Sequence, residues 1–407
     1  MSDLMVRTPT RTRARRSKRR RRIVLRVLLV AVLIAAAAGA AAFVASRPKP
    51  APVAGSVAAS SEQFTILVAT TVVDDPSQRA DVLTLFAVDG STGEATGLFI
   101  PSGVFGTIPG ESSVEQVGKA LVFGRETLQE ITIENLLGID VDRTVALTDV
   151  AVAQMVDALG GVPVSVTTEL YETTETGARE LVFPLGDQVL DGAEAGTFLT
   201  YRAGDESDLD RFVRVQQLWE GLLATMMEAP DRDEAIAGAT DLAGSGAMWM
   251  GEFLSALDRV DPSALRFDVL PVRGSSTGVP NVFEPDHEAI RDVVGALYAG
   301  SLLPGVGATD ERPRIDLRNG NGRPGTGSAL AQELVPAGFH IVVTGNTVSF
   351  DHQTTRIVVY GDDETYLALA RRIRDLIGFG RVEIGTRAQT VVDATIVVGK
   401  DFTEMQS

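Results

Sequence analysis

The chain has 407 residues and contains no cysteine and only three histidines. The lack of cysteine excludes disulfides, thiolate metal sites and a thiol nucleophile. The histidines, His287, His340 and His352, are scattered without the spacing of metal ligands. We interpret them as structural, so a Ser-His-Asp triad has little support. Stability must then come from packed cores, for which the 44% hydrophobic content and the length suffice for two domains.

Charge is absent from residues 27–45, nineteen residues rich in Leu, Val and Ala. Because a helix of about 20 apolar residues crosses ~30 Å of hydrocarbon, we predict a single N-terminal transmembrane helix here. Residues 1–26 contain eleven Lys and Arg against one acidic residue. The positive-inside rule predicts that these residues form a basic cytoplasmic tail, with the bulk of the chain extracytoplasmic.

Other interpretations of the N-terminus remain open. A cleavable signal with its cleavage site near Ala40 to Ala42, or a twin-arginine signal, would also place the later residues beyond the membrane. The apolar run is, however, longer than the about 7–15 residues of a signal core. The arginine-rich run Arg15 to Arg22 has the composition of a nucleic-acid-binding patch, but beside a membrane span attraction to anionic lipid is the simpler account. We therefore predict the membrane as a partner and no nucleic acid.

The part of the chain after the tail is acidic. Without the tail, the totals of 37 basic and 54 acidic residues leave a net charge of −27. Residues 46–61 are rich in Pro, Ala and Ser and predict an extended linker. We predict a first folded domain over residues 62–300, a short linker with Pro and Gly over residues 301–312, and a small C-terminal domain over residues 313–404.

Hydrophobic periodicity predicts alternating strands and helices in both domains. In the first, strands are predicted at Phe64–Val73, Val82–Val88, Ala95–Ile100, around Val145, at Val162–Val166 and at Leu265–Leu270. Helices are predicted at Val114–Phe123, Leu128–Leu137, Asp149–Leu159, Leu190–Thr200, Leu209–Met227, around Asp241, at Met248–Arg259 and at Asp286–Leu297. In the second, strands at Arg314–Leu317, His340–Val343, Thr355–Tyr360 and Asp393–Val398 alternate with helices at Gly327–Leu334 and Glu364–Ile377. This alternation predicts the α/β class: an α/β sandwich followed by a small α/β domain.

Two segments carry candidate binding residues. Arg79 and Asp81 stand just before a predicted buried strand, where loop ends often hold binding groups. Arg211 and Arg214 are three residues apart and share a helix face, with Asp208 one turn earlier and Arg202 upstream. Converging guanidiniums suit a phosphate or pyrophosphate. Solvated loops and a charged outer helix face explain the same spacing, and spacing alone leaves both interpretations open.

The sequence resembles the LytR-CpsA-Psr family in several blocks that occur in the family's order. The blocks in the first domain are VDALGGVPVSV at 156–166, LDGAEAGTFLTYR at 190–202, DLDRFVRVQQ at 208–217 and QRADVLTLFAV at 78–88. The last domain resembles the LytR C-terminal domain through IDLRNGNGRPGTGSALAQELVPAGF at 315–339 and DATIVVGKDF at 393–402. The resemblance covers nearly all of the chain after the predicted membrane span.

This resemblance implies a membrane-anchored envelope protein. Catalytic members transfer a glycopolymer from a polyprenyl-pyrophosphate carrier to peptidoglycan, using arginines, a carboxylate-bound Mg²⁺ and an apolar cavity for the lipid. Matched residue by residue, Arg79, Arg202, Arg211 and Arg214 would face the pyrophosphate, and Asp81 would bind Mg²⁺. Phosphoryl transfer depends mainly on positioning and on neutralisation of developing charge.

Several motif positions depart from the family pattern. Ser102 and Gly103 stand where the family has Arg and Asp, Gln116 to Gly118 replace Lys-x-Asn, and Gly124-Arg125 replaces Gly-Gly. One lost guanidinium removes about 2–4 kcal/mol of transition-state stabilisation, which slows the step roughly 10²- to 10³-fold. We therefore expect a degenerate member that binds the lipid or glycan without efficient turnover. An active glycopolymer transferase and a structural scaffold for a wall polymer or protein are the alternatives.

Overall fold

The computed structural model describes residues 63–404, except 74, 91, 112–113, 174–176, 203–205, 230–236, 239–250, 254, 257–263 and 388. The predicted tail, membrane span and first linker lie outside these residues, as does the helix predicted around Asp241. Of the helix predicted at Met248–Arg259, residues 251–253 and 255–256 are described and are helical. Within the described ranges, no helix is long and apolar enough to cross a membrane.

The chain forms a mixed α/β structure, which confirms the predicted fold class. Its strands are β1 (Gln63–Thr71), β2 (Val82–Asp89), β3 (Glu94–Pro101), β4 (Phe105–Gly106), β5 (Glu115–Gln116), β6 (Arg143–Thr148), β7 (Val162–Val166), β8 (Leu170–Thr173), β9 (Arg179–Phe183), β10 (Gly186–Leu190), β11 (Leu265–Val269), β12 (Val272–Gly274), β13 (Phe283–Pro285), β14 (Arg314–Asn319), β15 (His340–Asn346), β16 (Arg356–Val359), β17 (Arg381–Ile384) and β18 (Ala394–Val398). Its helices are α1 (Ala120–Leu137), α2 (Asp149–Ala158), α3 (Gly192–Thr200), α4 (Asp208–Glu228), α5 (His287–Leu297), α6 (Thr326–Leu334), α7 (Glu364–Ile377) and α8 (Asp401–Glu404).

The first sheet has the order β11-β3-β2-β1-β6. Strand β2 is antiparallel to β1 and β3, whereas β1 is parallel to β6 and β3 is parallel to β11. The strands β1, β3, β6 and β11 therefore point the same way, and their carboxyl ends share one edge. We call this the carboxyl edge of the first sheet, and β2 begins there.

Both faces of the first sheet are covered because its central strands are apolar on both sides. Ile66 and Val68 of β1 pack into a core with α2, α3 and α4, while Leu67 and Ala69 pack into a second core with α1 and α5. Since successive side chains of a strand point to opposite faces, one strand serves both cores. The first domain is thus a sandwich of helices around a central sheet.

The second sheet has the order β15-β14-β18-β16-β17, and its core packs against α6 and α7. Ile131 of α1 also belongs to this core. The buried side chain of Asn135 on α1 caps the edge strand β15: its Nδ2 donates to the carbonyl of Ile341 at 2.9 Å, and its Oδ1 accepts from the Ile341 amide at 2.8 Å. Helix α1 therefore contacts both sheets.

Some predicted elements differ from the structure. Residues 114–119 form a short strand and a 3₁₀ turn instead of a helix, and α1 is broken by non-helical backbone at Gly124 and Arg125. Helix α3 starts only at Gly192 because Leu190 ends β10 and Asp191 caps the helix. Strands β4, β5, β8, β9, β10, β12, β13 and β17 were not predicted from the sequence.

Candidate functional site

Asp81 lies at the carboxyl edge of the first sheet. It immediately precedes β2, and its backbone N–H donates to the carbonyl of Thr70 at the end of β1, at 2.7 Å. Two other loops meet here, because Ala80 donates to the Gly118 carbonyl and Gly118 donates to the Ser102 carbonyl, both at 2.9 Å. In open α/β sheets, ligands bind outside the carboxyl ends of the strands. The location of Asp81 is therefore that of a binding group.

Helices α3 and α4 bring the arginines to this edge. A capping box of Asp191 and Glu194 fixes the start of α3, and a capping box of Ser207 and Asp210 fixes the start of α4. Arg202 follows α3, and Arg211 lies in the first turn of α4. The side chain of Asn281 holds the beginning of α4 by accepting from the Asp208 amide at 2.8 Å.

Arg202 and Arg211 converge on one carboxylate, whereas the spacing in the sequence indicated only that Arg211 and Arg214 share a helix face. Arg202 Nη2 lies 2.7 Å from Asp81 Oδ1, and Arg211 Nη1 lies 2.6 Å from Asp81 Oδ2. The Oδ1 atom of Asp208 accepts from both arginines, at 3.2 Å from Arg211 Nη2. Two guanidiniums and two carboxylates thus form one network, which we call the Asp81 cluster, and its formal charge is zero.

The Asp81 cluster is largely shielded from solvent. Arg211 is 0% exposed and Asp81 8%, whereas the Arg202 side chain is 27% exposed. Burial raises the pKa of Asp81, but the charges of Arg211 and then Arg202 outweigh it, so the pKa of Asp81 lies below its ordinary value. Burial lowers the pKa of Arg202, but Asp208 and Asp81 outweigh this and the pKa is raised. Both shifts favour the charged forms of Asp81 and Arg202.

Arg214 is adjacent to the cluster but has different partners. Its Nη2 lies 2.9 Å from Oε2 of Glu206, its Nη1 contacts Oε1 of the same residue, and its Nη2 donates to the Tyr201 carbonyl at 2.6 Å. The sequence analysis did not single out Glu206. Its position eight residues before Arg214 has no helical periodicity that could have predicted the contact.

Arg79, the fourth predicted arginine, has a neutral partner. Its Nη1 donates to Oε1 of Gln116 at 3.1 Å, and its side chain is half-buried. Gln116 belongs to the segment that replaces the family's Lys-x-Asn block, so this departure supplies a contact instead of a positive charge. Arg79 is thus the predicted arginine whose side chain is held by an amide and not by a carboxylate.

The structure explains why residue 103 is a glycine in this chain. A Cβ atom at residue 103 would lie only 1.8 Å from the carbonyl oxygen of Asn281. The neighbouring Ser102 is 2% exposed and packs against Gly118, where a Cβ would lie 2.9 Å from the Ser102 Cβ. The positions at which the family has Arg and Asp are therefore filled by packed backbone in this chain.

The donor set does not fit a magnesium ion in this arrangement. Both oxygens of Asp81 accept hydrogen bonds from guanidiniums, so an ion would have to displace Arg202 and Arg211. Among the residues that the structure describes, no group of three or more His, Asp or Glu side chains is arranged to hold a metal. The assignment of Asp81 to Mg²⁺ stays a prediction.

A groove of about 500 Å³ lies elsewhere on the first domain, between β7, β10 and α4. Its polar lining includes Ser165, Asp187, Gln217 and Glu220. None of the four predicted arginines lines it. The groove and the Asp81 cluster are therefore separate features of the first domain.

A helix-covered mixed sheet with an arginine–carboxylate cluster at its carboxyl edge defines an α/β protein with a candidate site for an anionic group. Residues 32–236 match the model of the LytR_cpsA_psr family, and residues 312–402 match that of the LytR cell envelope-related transcriptional attenuator. The chain belongs to the LytR-CpsA-Psr family.

Individual relatives match parts of the chain. The probable cell wall biosynthesis protein LcpB of Corynebacterium glutamicum is 32% identical over 134 residues, which cover 33% of this chain and 31% of LcpB. The polyisoprenyl-teichoic acid–peptidoglycan teichoic acid transferase TagU of Bacillus subtilis is 27% identical over 151 residues, covering 37% of this chain and 47% of TagU. The chain thus matches between a third and a half of these relatives' length.

Solved structures with similar folds include TagV of B. subtilis, with a TM-score of 0.49, 18% identity, and coverage of 59% of this chain and 97% of TagV. A structure of TagT bound to LI-WTA has a TM-score of 0.46 and 21% identity, and covers 59% of this chain and 91% of TagT.

Proposed function

We propose that this chain is a membrane-anchored, extracytoplasmic protein of cell-envelope assembly that binds a polyprenyl-pyrophosphate lipid or its glycan without efficient turnover. The observation that carries the proposal is the convergence of Arg202 and Arg211 at the carboxyl edge of the first sheet. The partly exposed guanidinium of Arg202 suits the oxygens of a pyrophosphate, while buried Arg211 holds the Asp81 carboxylate with which Arg202 is paired. Membership of the family, and relatives named for cell wall biosynthesis and teichoic acid transfer, support the assignment to the envelope.

The arginines differ in their freedom to bind a phosphate. Arg79 is held by a neutral amide, and Arg202 is partly exposed, so both can exchange a partner for a phosphate oxygen. Arg211 is fully buried and also donates to the backbone carbonyl of Asp81. Arg211 therefore positions the start of β2, while Arg79 and Arg202 would contact the ligand directly.

Inefficient turnover follows from the charge balance. Asp81, Asp208 and Glu206 offset the charges of Arg202, Arg211 and Arg214, and Ser102 and Gly103 contribute no charge. Negative charge that develops on a phosphoryl group would therefore be stabilised by few unpaired positive charges. Such stabilisation supplies most of the rate enhancement in phosphoryl transfer. Binding of the ligand requires less electrostatic stabilisation than the transition state of phosphoryl transfer does.

The alternative is an active glycopolymer–peptidoglycan phosphotransferase. The partial exposure of Arg202 favours this function, because a guanidinium at the surface of the cluster is able to stay in contact with a phosphoryl group during its transfer. The two functions share a ligand and differ only in turnover, so one set of variants separates them.

The test uses the full chain in detergent micelles with a polyprenyl pyrophosphate. Binding and phosphate release are measured for the unmodified chain, for Arg79→Ala, for Arg202→Ala and for the double variant. Arg273→Ala is the matched control, because Arg273 is 70% exposed and is also paired with a carboxylate, that of Asp286. Loss of a hydrogen bond to a charged group is expected to weaken binding roughly 10- to 100-fold in each single variant, with the control unchanged.

The outcomes are distinct. Equal binding by all the variants would show that the arginines are not the site. Phosphate release by the unmodified chain above that of the double variant would establish the active transferase instead. Binding that depends on Arg79 and Arg202 without such release supports the proposal.

A further inference from the structure

Six large apolar side chains on the first domain are exposed around the carboxyl edge of its sheet. They are Val73, Val122, Phe123, Val150, Leu209 and Val279, which are between 37% and 54% exposed. Val73 follows β1, and Val279 lies between β12 and β13. The other four lie in the first turns of α1, α2 and α4. We call this set the apolar rim.

Hydrogen bonds link the segments that carry the apolar rim. One oxygen of Asp149, Oδ1, accepts from the amides of both Val73, at 3.1 Å, and Val150, at 2.9 Å. The side chain of Asn281 joins the loop of Val279 to the first residue of α4. The residues before α1 are joined to the loop of Ala80 through Gly118. The segments that carry the rim are therefore tied to the same edge of the sheet as the Asp81 cluster.

Part of the rim lies next to strained backbone. Directly after Phe123, helix α1 is broken at Gly124 (φ −150°, ψ 23°) and Arg125 (φ 59°, ψ −156°). The conformation of Arg125 is one that residues other than glycine rarely adopt. Val122 and Phe123, directly before this break, are 47% and 46% exposed, whereas most of the later part of the helix is buried. Strain of this kind clusters at functional sites.

We propose that the apolar rim docks on the outer surface of a lipid bilayer and so turns the Asp81 cluster towards the membrane. The proposal rests on the proposed function, since the pyrophosphate of a lipid carrier lies at that surface. Exposed apolar side chains at one edge of the sheet, with an exposed cation, Arg125, two residues after Phe123, match an interface with apolar chains below phosphate headgroups. A lipid surface is therefore the occupant that this chemistry favours.

The length of the chain before β1 allows this orientation. Strand β1 has nine residues and spans ~30 Å from its start to the carboxyl edge. Residues 46–62, between the predicted membrane span and β1, reach at most about 60 Å when extended. The carboxyl edge is thus within reach of the bilayer that the predicted anchor enters.

The absence of cysteine makes a site-specific test direct. The full chain is reconstituted in phosphatidylcholine vesicles as Phe123→Cys, Val150→Cys or Val391→Cys, each labelled with a nitroxide. Val391 is the matched control because it is an exposed valine of the C-terminal domain, 63% exposed. The accessibility of each label to oxygen, which concentrates in lipid, is compared with its accessibility to a water-soluble nickel complex.

We expect the ratio of oxygen to nickel accessibility to be at least several-fold higher at residues 123 and 150 than at residue 391. Equal, water-like ratios at all three positions would overturn the proposal. So would protection of residues 123 and 150 that appears only after envelope proteins are added, because the occupant would then be a protein. Binding of polyprenyl pyrophosphate is measured on the same samples in order to separate the two proposals. If binding is intact but the rim is exposed to water, the docking proposal is refuted and the proposed function stands.

Discussion

The guanidinium of Arg211 lies 2.6 Å from the carboxylate of Asp81, and both side chains are buried. Arg211 Nη2 also donates to the backbone carbonyl of Asp81 at 3.2 Å. The pair thus ties the start of β2 to the first turn of α4. A residue that joins sheet and helix in this way supports the fold as well as the candidate site.

The first prediction concerns this pair. Arg211→Met should lower the free energy of unfolding by about 3–5 kcal/mol, because it leaves Asp81 and Asp208 buried without a full set of partners. Urea unfolding followed by circular dichroism measures the change. Arg356→Ala is the control: its pair with Glu383 is partly exposed, and the expected loss is below about 1 kcal/mol. Similar losses in both variants would contradict a special role for the buried pair.

A second prediction concerns the position where the family has an aspartate. Gly103→Ala should destabilise the chain by more than about 2 kcal/mol, since its Cβ would lie 1.8 Å from the Asn281 carbonyl oxygen. Gly295→Ala is the control, because a Cβ at this residue of α5 meets nothing within 4 Å. There we expect stabilisation of up to about 1 kcal/mol. Thermal unfolding of both variants tests the contrast, and a neutral Gly103→Ala would show that the loop of Asn281 yields easily.

The sequence predicted those parts of the fold that have strong local signals. The predicted helix 364–377 matches α7 in both bounds, because Asp363 caps it and Gly378, with φ 79°, ends it. Strands β8 and β9 went unpredicted because most of their side chains are exposed and do not alternate. The spacing of Arg211 and Arg214 predicted a shared helix face, but long-range packing decided that Asp81 would be the partner of the former and Glu206 of the latter.

The third prediction is a pH dependence. Burial raises the pKa of Glu130 to about 7, and the negative charge of Asp140 adds to the shift. Above the ordinary pKa of 4.5 the unfolded chain releases a proton that the folded chain keeps, so stability falls as the pH rises towards 7 and is then flat. Glu130→Gln should remove this pH-dependent loss in the free energy of unfolding, which is on the order of 1–3 kcal/mol. Melting temperatures from pH 5 to 8 measure it, with Glu126→Gln of the same helix as control. Parallel curves for the unmodified chain and Glu130→Gln would contradict the prediction.

The fourth prediction concerns the contact of helix α1 with the second sheet. Asn135 is 2% exposed and makes both hydrogen bonds to the backbone of Ile341. Asn135→Ala leaves a buried N–H and a buried carbonyl unpaired, at about 1–3 kcal/mol each. Amide hydrogen exchange in β15 should therefore accelerate, and that in β16 should change little. Asn346→Ala, at the exposed end of the same strand, is the control. Unchanged exchange at Ile341 would show that water replaces the Asn135 side chain without penalty.

The last prediction tests the strained turn in α1. Arg125 adopts φ 59° and ψ −156°, where glycine is favoured, at a position where the family has glycine. Arg125→Gly should therefore raise the free energy of unfolding by about 1–3 kcal/mol. The opposite sign is expected for Arg371→Gly, since Arg371 is an exposed residue in the interior of the regular helix α7, where glycine costs about 1 kcal/mol. Chemical denaturation of both variants measures the difference. If Arg125→Gly is destabilised like Arg371→Gly, the turn at Arg125 stores no backbone strain.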